Sequence, residues 1–271
     1  MKRPSRVRKR GGRGRPRRND APKPAEEARF PMRLNRFIAR SGVCSRREAD
    51  ALIQEGRVKV DGVPTTDFST KINQGQKVEV NGKVITPAAG EYLLLNKPGD
   101  TITTKSDEKG RRTVIDLIDL ADEQKAALFP VGRLDRATLG VLLLTSDGQL
   151  AHRLMHPSFE VEKLYRVRCS KAVSPEDLGR LTAGIELEDG KAQADHATYT
   201  NPADSHEVGV SMHSGRNRIV RRMFEALGHE VKELERIRYA GLTTAGLRRG
   251  KWRRLTEKEV ARLYRAVKMK R

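Results

Sequence analysis

One aspartate inside an arginine-rich loop is the strongest candidate for chemistry in this sequence. Asp135 lies in the segment PVGRLDRATLG (residues 130–140), directly before the apolar run VLLLT. On residue types alone, Asp135 is a loop carboxylate that pairs with Arg133 or Arg136, and such pairs are more often structural than catalytic. The segment by itself therefore leaves both a structural and a catalytic role open.

The sequence lacks the signatures of several other reaction classes. It contains no G-x-S-x-G motif, no phosphate-binding P-loop and no dinucleotide glycine fingerprint, which argues against serine hydrolase and nucleotide-driven chemistry. His152 and His156 are spaced i, i+4, but no Glu follows the first of them as in H-E-x-x-H, so we interpret them as an ordinary polar helix face. Cys44 and Cys169 are too far apart in sequence to form a C-x-x-C pair. We therefore expect no metal site.

The elements that must position Asp135 can be read from hydrophobic periodicity. Apolar and alternating runs predict strands, and amphipathic patterns between them predict helices, of which one begins at Ser174-Pro175 and two end at Gly184 and Gly228. The predicted strands are 92–95, 140–145, 164–169 and 208–212, and the predicted helices are 149–155, 175–183 and 217–226. This order favours an α+β domain with flanking helices on a mixed, mainly antiparallel sheet.

A smaller unit precedes this domain. Two short helical patterns begin near Leu34 and Ala49, and Ser45 with Glu48 forms a capping box at the start of the second. Alternating valines and the turns at 61–62 and 81–82 then predict a small sheet. The unit is a helix pair on a sheet, and three arginines lie off its apolar faces: Arg40, Arg46 and Arg47.

Charge points to a nucleic acid partner. The chain has 271 residues with 55 Lys or Arg against 35 Asp or Glu, a net charge of +20 that attracts polyanions. Ten of the first 18 residues are Lys or Arg, which is typical of a disordered basic tail. No apolar run approaches the roughly 20 residues of a membrane span, and no secretory signal is present, so we expect a cytoplasmic protein without membrane contact.

These patterns divide the chain into four parts. Residues 1–31 form the basic tail, and residues 32–85 form the helix-pair domain. A loop at 86–90 is the best candidate linker, residues 90–260 form the larger domain, and residues 261–271 form a basic C-terminal end.

The first domain resembles the small RNA-binding domain named after ribosomal protein S-four. The blocks SRREA, LIQEGRVKVDG and INQGQKVEV occur in the order and spacing of that family over about fifty residues. The resemblance implies that Arg40, Arg46 and Arg47 contact RNA.

The larger domain resembles the pseudouridine synthases, in the branch typified by RsuA and RluB. Besides GRLDRATLG, the carriers of the resemblance are YLLLNKPGDTITT, LMHPSFEVEKLYRVRC and GRNRIVRRMFEALGHEV, and together with the first domain they span roughly residues 32–260. The last block departs from the branch at Ser214-Gly215 and Ile219, where the branch usually has Glu-Gly and Gln.

The resemblance assigns roles to individual residues. Asp135 matches the catalytic aspartate, Tyr165 the tyrosine that stacks on the target base, and Arg221 the basic residue that pairs with the aspartate. Val220 would line the apolar wall, and Arg133 would either hold the catalytic loop or contact RNA. On the residues alone, Tyr165 would be core or rim. On the same ground, four arginines at the start of the predicted helix would be a phosphate-binding face: Arg216, Arg218, Arg221 and Arg222.

The implied reaction is isomerisation of uridine in RNA. The bond from uracil nitrogen 1 to the anomeric ribose carbon breaks, the base turns, and ring carbon 5 takes that sugar position, so no cofactor is needed. A carboxylate can either attack the anomeric carbon or remove a neighbouring sugar proton, and the sequence does not choose between them. The expected partner is ribosomal RNA, with a lean toward the large subunit, or an assembling ribosomal subunit, and the expected enzyme is a monomer.

A non-catalytic RNA-binding or ribosome-assembly protein is the competing hypothesis. It would use the same basic surfaces but would have no need of Asp135, Tyr165 and Arg221 together. Because all three are present, the sequence favours the isomerase.

Overall fold

A computed structural model describes residues 30–88 and 90–270 of the chain. The expected basic tail therefore lies outside the described residues, except for its last two positions. The expectation of an α+β protein with a helix-pair domain and a larger mixed sheet is confirmed.

The first part of the described chain contains two helices and six short strands. Helix α1 is Leu34–Arg40 and helix α2 is Arg46–Gln54. The strands are β1 (Met32–Arg33), β2 (Val58–Val60), β3 (Val63–Pro64), β4 (Lys71–Ile72), β5 (Val78–Val80) and β6 (Lys83–Ile85). Strand β1 pairs antiparallel with β4, and the order β3-β2-β5-β6 forms a four-stranded antiparallel sheet.

Local sequence signals explain this small unit. The predicted capping box is confirmed, because Ser45 Oγ accepts from Glu48 N at 3.3 Å and Ser45 N donates to the Glu48 carboxylate at 2.7 Å. At the turn after β2, Asp61 and Gly62 both have positive φ, at 51° and 84°, as a two-residue hairpin turn of the I′ type requires. The predicted helix pair on a small sheet is thus correct in detail.

The rest of the chain is built on a nine-stranded mixed sheet. Its main order is β11-β12-β10-β13-β9-β7-β15, with β14 paired to β13 and β8 paired to β9. The strands are β7 (Tyr92–Lys97), β8 (Phe129–Pro130), β9 (Leu139–Thr145), β10 (Lys163–Cys169), β11 (His196–Asn201), β12 (Asp204–Met212), β13 (Val231–Tyr239), β14 (Leu242–Thr243) and β15 (Trp252–Arg254). The pairing of β9 with β13 is parallel, and the other pairings of this sheet are antiparallel.

Helices flank this sheet. They are α3 (Asp122–Ala127), α4 (Gly148–Met155), α5 (Pro175–Ala183), α6 (Ile219–Ala226) and α7 (Glu257–Ala266), with a 3-10 turn at Pro157–Phe159. One apolar cluster lies under α5 and α6 against β10 and β12, and a second lies between α4, α7 and strands β7 and β9. The predicted helices near 149–155 and 175–183 are both confirmed.

Two boundaries differ from the sequence-based expectation. Helix α6 begins at Ile219, not near residue 217, because Arg218 takes a left-handed conformation at its N-cap with φ of 46°. Helix α7 runs across residue 260, and Leu263, Tyr264 and Val267 are buried in the same core as β9. The expected boundary at residue 260, which would set apart a basic end at 261–271, therefore falls inside helix α7.

Candidate active site

Asp135 lies in a cleft of about 440 Å³ at the entrance of strand β9. Its side chain is half-buried on the loop that joins β8 to β9, and a turn closes where Thr138 N donates to Asp135 O at 3.0 Å. Among the described residues, Asp135 is the only Asp or Glu that lines this cleft. The site therefore offers a single carboxylate, unlike the two that glycoside hydrolases generally require.

Lys97 at the end of β7 holds the aspartate loop. This side chain has no exposed surface, and its ammonium group donates to the carbonyl oxygens of Pro98, Asp135, Arg136 and Thr138 at 2.9–3.2 Å. Burial lowers the pKa of Lys97 to about 8, and the nearby charge of Asp135 opposes that shift. A buried cation bonded to three carbonyls of one loop fixes the backbone on both sides of Asp135.

A close approach of two backbones fixes the other end of the loop. Gly140 has φ of +102°, and a Cβ atom placed there would lie 2.2 Å from Arg236 O on the parallel strand β13. The glycine in the GRLDRATLG block is thus required by packing, because no side chain fits between β9 and β13.

Tyr165 and Val220 form the apolar side of the cleft. Tyr165 lies on β10, opposite Val210 on β12 and Arg236 on β13, and only 8% of it is exposed. Val220, on the first turn of α6, and Leu234 line the same cleft. Asp135, Tyr165 and Val220 therefore line one cleft, which has an aromatic ring and an aliphatic side chain in its wall.

Arg221 approaches Asp135 without a direct ion pair between them. Its Nη1 donates to Val231 O at 2.9 Å, and it does not line the cleft. Burial and then the charge of Arg218 lower the pKa of Arg221, and attraction to Asp135 counteracts them. The pairing with Asp135 that the resemblance implied is not formed as a direct ion pair, because the guanidinium is directed to the start of β13.

The predicted phosphate-binding face on α6 is largely occupied by internal contacts. Arg216 donates to the carbonyls of Asp189, Gly190 and Lys191 at 2.8–3.0 Å, and Arg222 forms an ion pair with the Asp189 carboxylate at 2.5 Å. Both arginines brace the turn before Lys191. Arg218 has one long contact to Glu225, at 3.8 Å.

The remaining predicted residues are at or near the surface. Arg133 is exposed at the rim of the cleft. In the first domain Arg46 and Arg47 are exposed, while Arg40 Nε donates to Ala88 O at 3.0 Å and so ties helix α1 to the connecting loop. Ile219 is buried in the apolar cluster beside α6, which explains an aliphatic residue at that departure from the branch pattern.

Sequence reasoning missed two cations at the cleft. Arg236 is 3% exposed, donates from Nε to Val141 O at 2.9 Å and places its guanidinium 4.5 Å from the Tyr239 ring centre. Its Nη2 has no hydrogen-bond partner among the described residues. Lys163 donates to Val161 O and His213 O at 2.7 and 2.6 Å, and burial lowers its pKa to about 8. Both cations lie in strands, where most buried residues are apolar, and a positive charge in a predicted or possible strand could have indicated them.

No other reactive centre is evident in the described part of the chain. The His152 and His156 rings lie 5.6 Å apart, and no group of three His, Cys, Asp or Glu side chains there is arranged to hold a metal ion. Within the same residues, no helix has the length and apolar character needed to cross a membrane.

Family models, related sequences and a solved structure all relate this chain to the same kind of protein. Residues 91–226 match the family described as RNA pseudouridylate synthase, and residues 32–78 match the S4 domain. The chain is 43% identical over 235 residues to the ribosomal large subunit pseudouridine synthase B of Bacillus subtilis, which covers 85% of this chain and 95% of that protein. It is 38% identical to the protein of the same name from Yersinia pestis, over 88% of this chain and 76% of that one. A crystal structure of a pseudouridylate synthase aligns with a TM-score of 0.61 and 30% identity, over 86% of this chain and 99% of the other.

Proposed function

Because the chain belongs to the RNA pseudouridine synthase family, whose members are isomerases acting on RNA, we propose that its own target is a uridine of large-subunit ribosomal RNA. The support is the similarity, over 85% and 88% of this chain, to two proteins named as large-subunit synthases. The match of residues 32–78 to an RNA-binding domain and the net charge of +20 are consistent with such a substrate.

In this proposal Asp135 is the catalytic residue. The observation that carries the assignment is that Asp135 is the single carboxylate lining the cleft within the described residues, on a loop fixed by Lys97 and Gly140. Its carboxylate acts at the ribose while the bond from uracil nitrogen 1 breaks. The base then turns and bonds through carbon 5, so every atom of the uridine stays in the product.

Tyr165 and Val220 would hold the uracil during this turn. A uridine in folded RNA must leave its stack, which costs about a few kcal/mol, and an aromatic side chain can replace part of that stacking. Tyr165 lines the same cleft as Asp135 and keeps a small exposed surface on which a base could stack.

The surrounding cations would attract an anionic substrate. Arg221 attracts Asp135 through space, and Arg236 and Lys163 place two further charges at the cleft. Arg133 and Arg218 are the exposed arginines at its rim and are proposed to contact phosphate groups. Arg46 and Arg47 on the first domain would do the same at a distance.

We further propose that the enzyme acts as a monomer in the cytoplasm, where ribosomal RNA is exposed during subunit assembly. The direct test is chemical mapping of pseudouridines in ribosomal RNA from cells with and without the gene. The expected result is the loss of modification at one or a few uridines of the large-subunit RNA. An unchanged large-subunit map together with a missing site in the small-subunit RNA would refute the proposed substrate.

A further inference from the structure

Four buried side-chain polar atoms have no hydrogen-bond partner among the described residues, and two of them belong to residues that line the catalytic cleft. These two are Thr138 Oγ1 and Arg236 Nη2, in residues that are 2% and 3% exposed. A buried polar group without a partner is unfavourable, most of all when it carries a charge. Two such groups at one cleft indicate that it receives a polar ligand, and Arg236 is the charged group of the pair.

The guanidinium of Arg236 has more donors than partners. It carries five N–H groups, and its only hydrogen bond to the described residues runs from Nε to Val141 O at 2.9 Å. The neighbouring Glu235 carboxylate is paired with Arg166 and Arg249, at 2.6 and 2.8 Å. The terminal nitrogens Nη1 and Nη2 of Arg236 therefore keep their donors for a ligand in the cleft.

Arg236 lies at the depth of the base and not at the rim of the cleft. It is the direct cross-strand partner of Tyr165, the ring on which the uracil is proposed to stack. The Cβ atoms of such partners lie about 5 Å apart on one face of the sheet. The exposed arginines at the rim, Arg133 and Arg218, are placed for phosphates that stay outside when the base enters. Arg236 is thus placed to meet the edge of the uracil ring.

Lys163 is another cation that lines the cleft, but its donors are largely used. Its ammonium group donates to Val161 O and His213 O at 2.7 and 2.6 Å, which occupies two of its three N–H groups. Arg236 uses one of its five. Arg236 is therefore better supplied with donors for a ligand than Lys163.

The reaction places negative charge on the uracil. When the bond from nitrogen 1 to the anomeric carbon breaks, its electron pair stays with the base, whether Asp135 attacks that carbon or removes a neighbouring proton. The charge spreads over nitrogen 1 and the carbonyl oxygens O2 and O4. Fixed donors at atoms where charge develops stabilise the transition state more than the ground state. A buried guanidinium without a carboxylate partner is such a donor.

One fixed donor can serve the uracil before and after it turns. A half-turn about the line through nitrogen 3 and carbon 6 exchanges nitrogen 1 with carbon 5, and O2 with O4. Carbon 5 then supplies the electron pair of the new bond, its proton is released, and nitrogen 1 takes up a proton. An N–H group that faces one carbonyl oxygen before the turn faces the other afterwards. Arg236 has no need to move, in keeping with its bond to Val141 O and its contact with the Tyr239 ring.

We propose that Arg236 is a second catalytic residue, which donates from its terminal nitrogens to a carbonyl oxygen of the uracil and stabilises the base as an anion while it is detached from the sugar. The inference rests on the proposed function, since it takes a uridine as the substrate. Geometry matters here as well as charge, because a planar guanidinium presents paired N–H groups that an ammonium group lacks.

The test combines changes in the enzyme with changes in the uracil. Arg236→Met removes the donors and the charge, and Arg236→Lys keeps the charge. The control is Arg249→Met, because Arg249 bonds to Glu235 on the same strand but does not line the cleft. The substrates are in vitro transcripts of bacterial large-subunit and small-subunit ribosomal RNA, made with uridine, 2-thiouridine or 4-thiouridine. Sulfur accepts hydrogen bonds more weakly than oxygen. Conversion is measured in single turnover by liquid chromatography of the digested nucleosides.

On the uridine transcript, Arg236→Met should lower the single-turnover rate about 100-fold, as expected for one lost donor at a site of developing charge. Arg236→Lys should recover part of that rate. The ratio of the wild-type rate to the Arg236→Met rate should shrink to about tenfold or less on at least one thiolated transcript, because the contact is already weakened there. Any loss of rate in Arg249→Met should be the same on all three kinds of transcript.

An Arg236→Met ratio that is equal on all three kinds of transcript would overturn the inference, because a residue that only holds strand β13 in place slows every substrate alike. If Arg236→Met shows no thermal unfolding transition, the ratio is taken with Arg236→Lys and decides in the same way. Conversion confined to the small-subunit transcript would refute the proposed substrate and leave the ratio measurable. Wild-type enzyme that converts neither transcript would refute the proposed function and this inference with it.

Discussion

Substitution of Gly140 by alanine tests the packing that positions the catalytic loop. A Cβ atom at this position would lie 2.2 Å from Arg236 O and 2.9 Å from Glu235 Cγ. Ordinary contacts to carbon are about 3.5 Å, so strands β9 and β13 must move apart by roughly 1 Å. A φ of +102° adds backbone strain for any residue with a side chain.

The expected cost follows from these two effects. Overpacking typically costs about 1–3 kcal/mol, and a residue held in a sparsely populated backbone region costs about 1–3 kcal/mol more. We expect Gly140→Ala to lower the free energy of unfolding by about 3 kcal/mol, as measured by urea denaturation. Because Asp135 lies five residues before this position, we also expect kcat to fall by at least about tenfold in the folded fraction.

Gly62→Ala is the matched control for backbone strain alone. Gly62 has φ of +84° in the turn after β2, and a Cβ atom there would meet nothing within 4 Å. This variant should cost only about 1 kcal/mol and leave kcat unchanged. If Gly140→Ala proved no more destabilising than Gly62→Ala, the claim that β9 and β13 lie too close for a side chain at Gly140 would be refuted.

Three further perturbations test other parts of the site. Arg221→Met should lower kcat about 100-fold, because it removes a charge that attracts Asp135, and Arg221→Lys should restore only part of the rate. A Met variant that binds RNA more weakly but keeps the full kcat would assign Arg221 to phosphate binding. Burial lowers the pKa of Lys97 from 10.5 to about 8, so between pH 8 and 10.5 the unfolded chain binds more protons than the folded protein. The free energy of unfolding of the wild type, relative to that of Lys97→Met, should therefore rise by up to about 3 kcal/mol over this pH range. A difference that stays constant with pH would contradict the burial of Lys97 as a cation. Residues 1–29 contain twelve Lys or Arg and three Asp or Glu. Their removal should weaken RNA binding and reduce its salt dependence, while kcat at saturating RNA is retained. An unaltered slope of log affinity against log salt would show that this segment does not bind RNA.

Local signals in the sequence predicted most of the elements around the site. The run that became β9 is continuously apolar because both faces of the strand are covered, and helix α5 carries a serine cap and a proline at its start. Strand β13 was not predicted. It buries Glu235 and Arg236, which bond to Arg249 and Val141, and charged residues in its sequence hide the strand pattern.

The partners of the arginines could not be predicted for a different reason. Arg222 pairs with Asp189, 33 residues away, and Arg221 bonds to the backbone of Val231, contacts that depend on the tertiary arrangement. A run of arginines at a helix start suggests a free phosphate-binding face until those partners are known. The pairing of Lys97 with the loop of Asp135 is likewise a consequence of β7 and β9 lying side by side.

The most direct test of the central claim is the activity of Asp135→Asn. The amide has nearly the same size as the carboxylate but can neither attack the sugar nor accept its proton, and loss of one negative charge leaves the cleft more cationic. Purified variant and wild type should be compared on the large-subunit RNA transcript, with pseudouridine mapped chemically and RNA affinity and thermal midpoint measured in parallel. We expect a folded protein with equal or tighter RNA binding and no detectable product. Pseudouridine formed by the folded variant at a rate near that of the wild type would contradict the assignment of Asp135 as the catalytic residue.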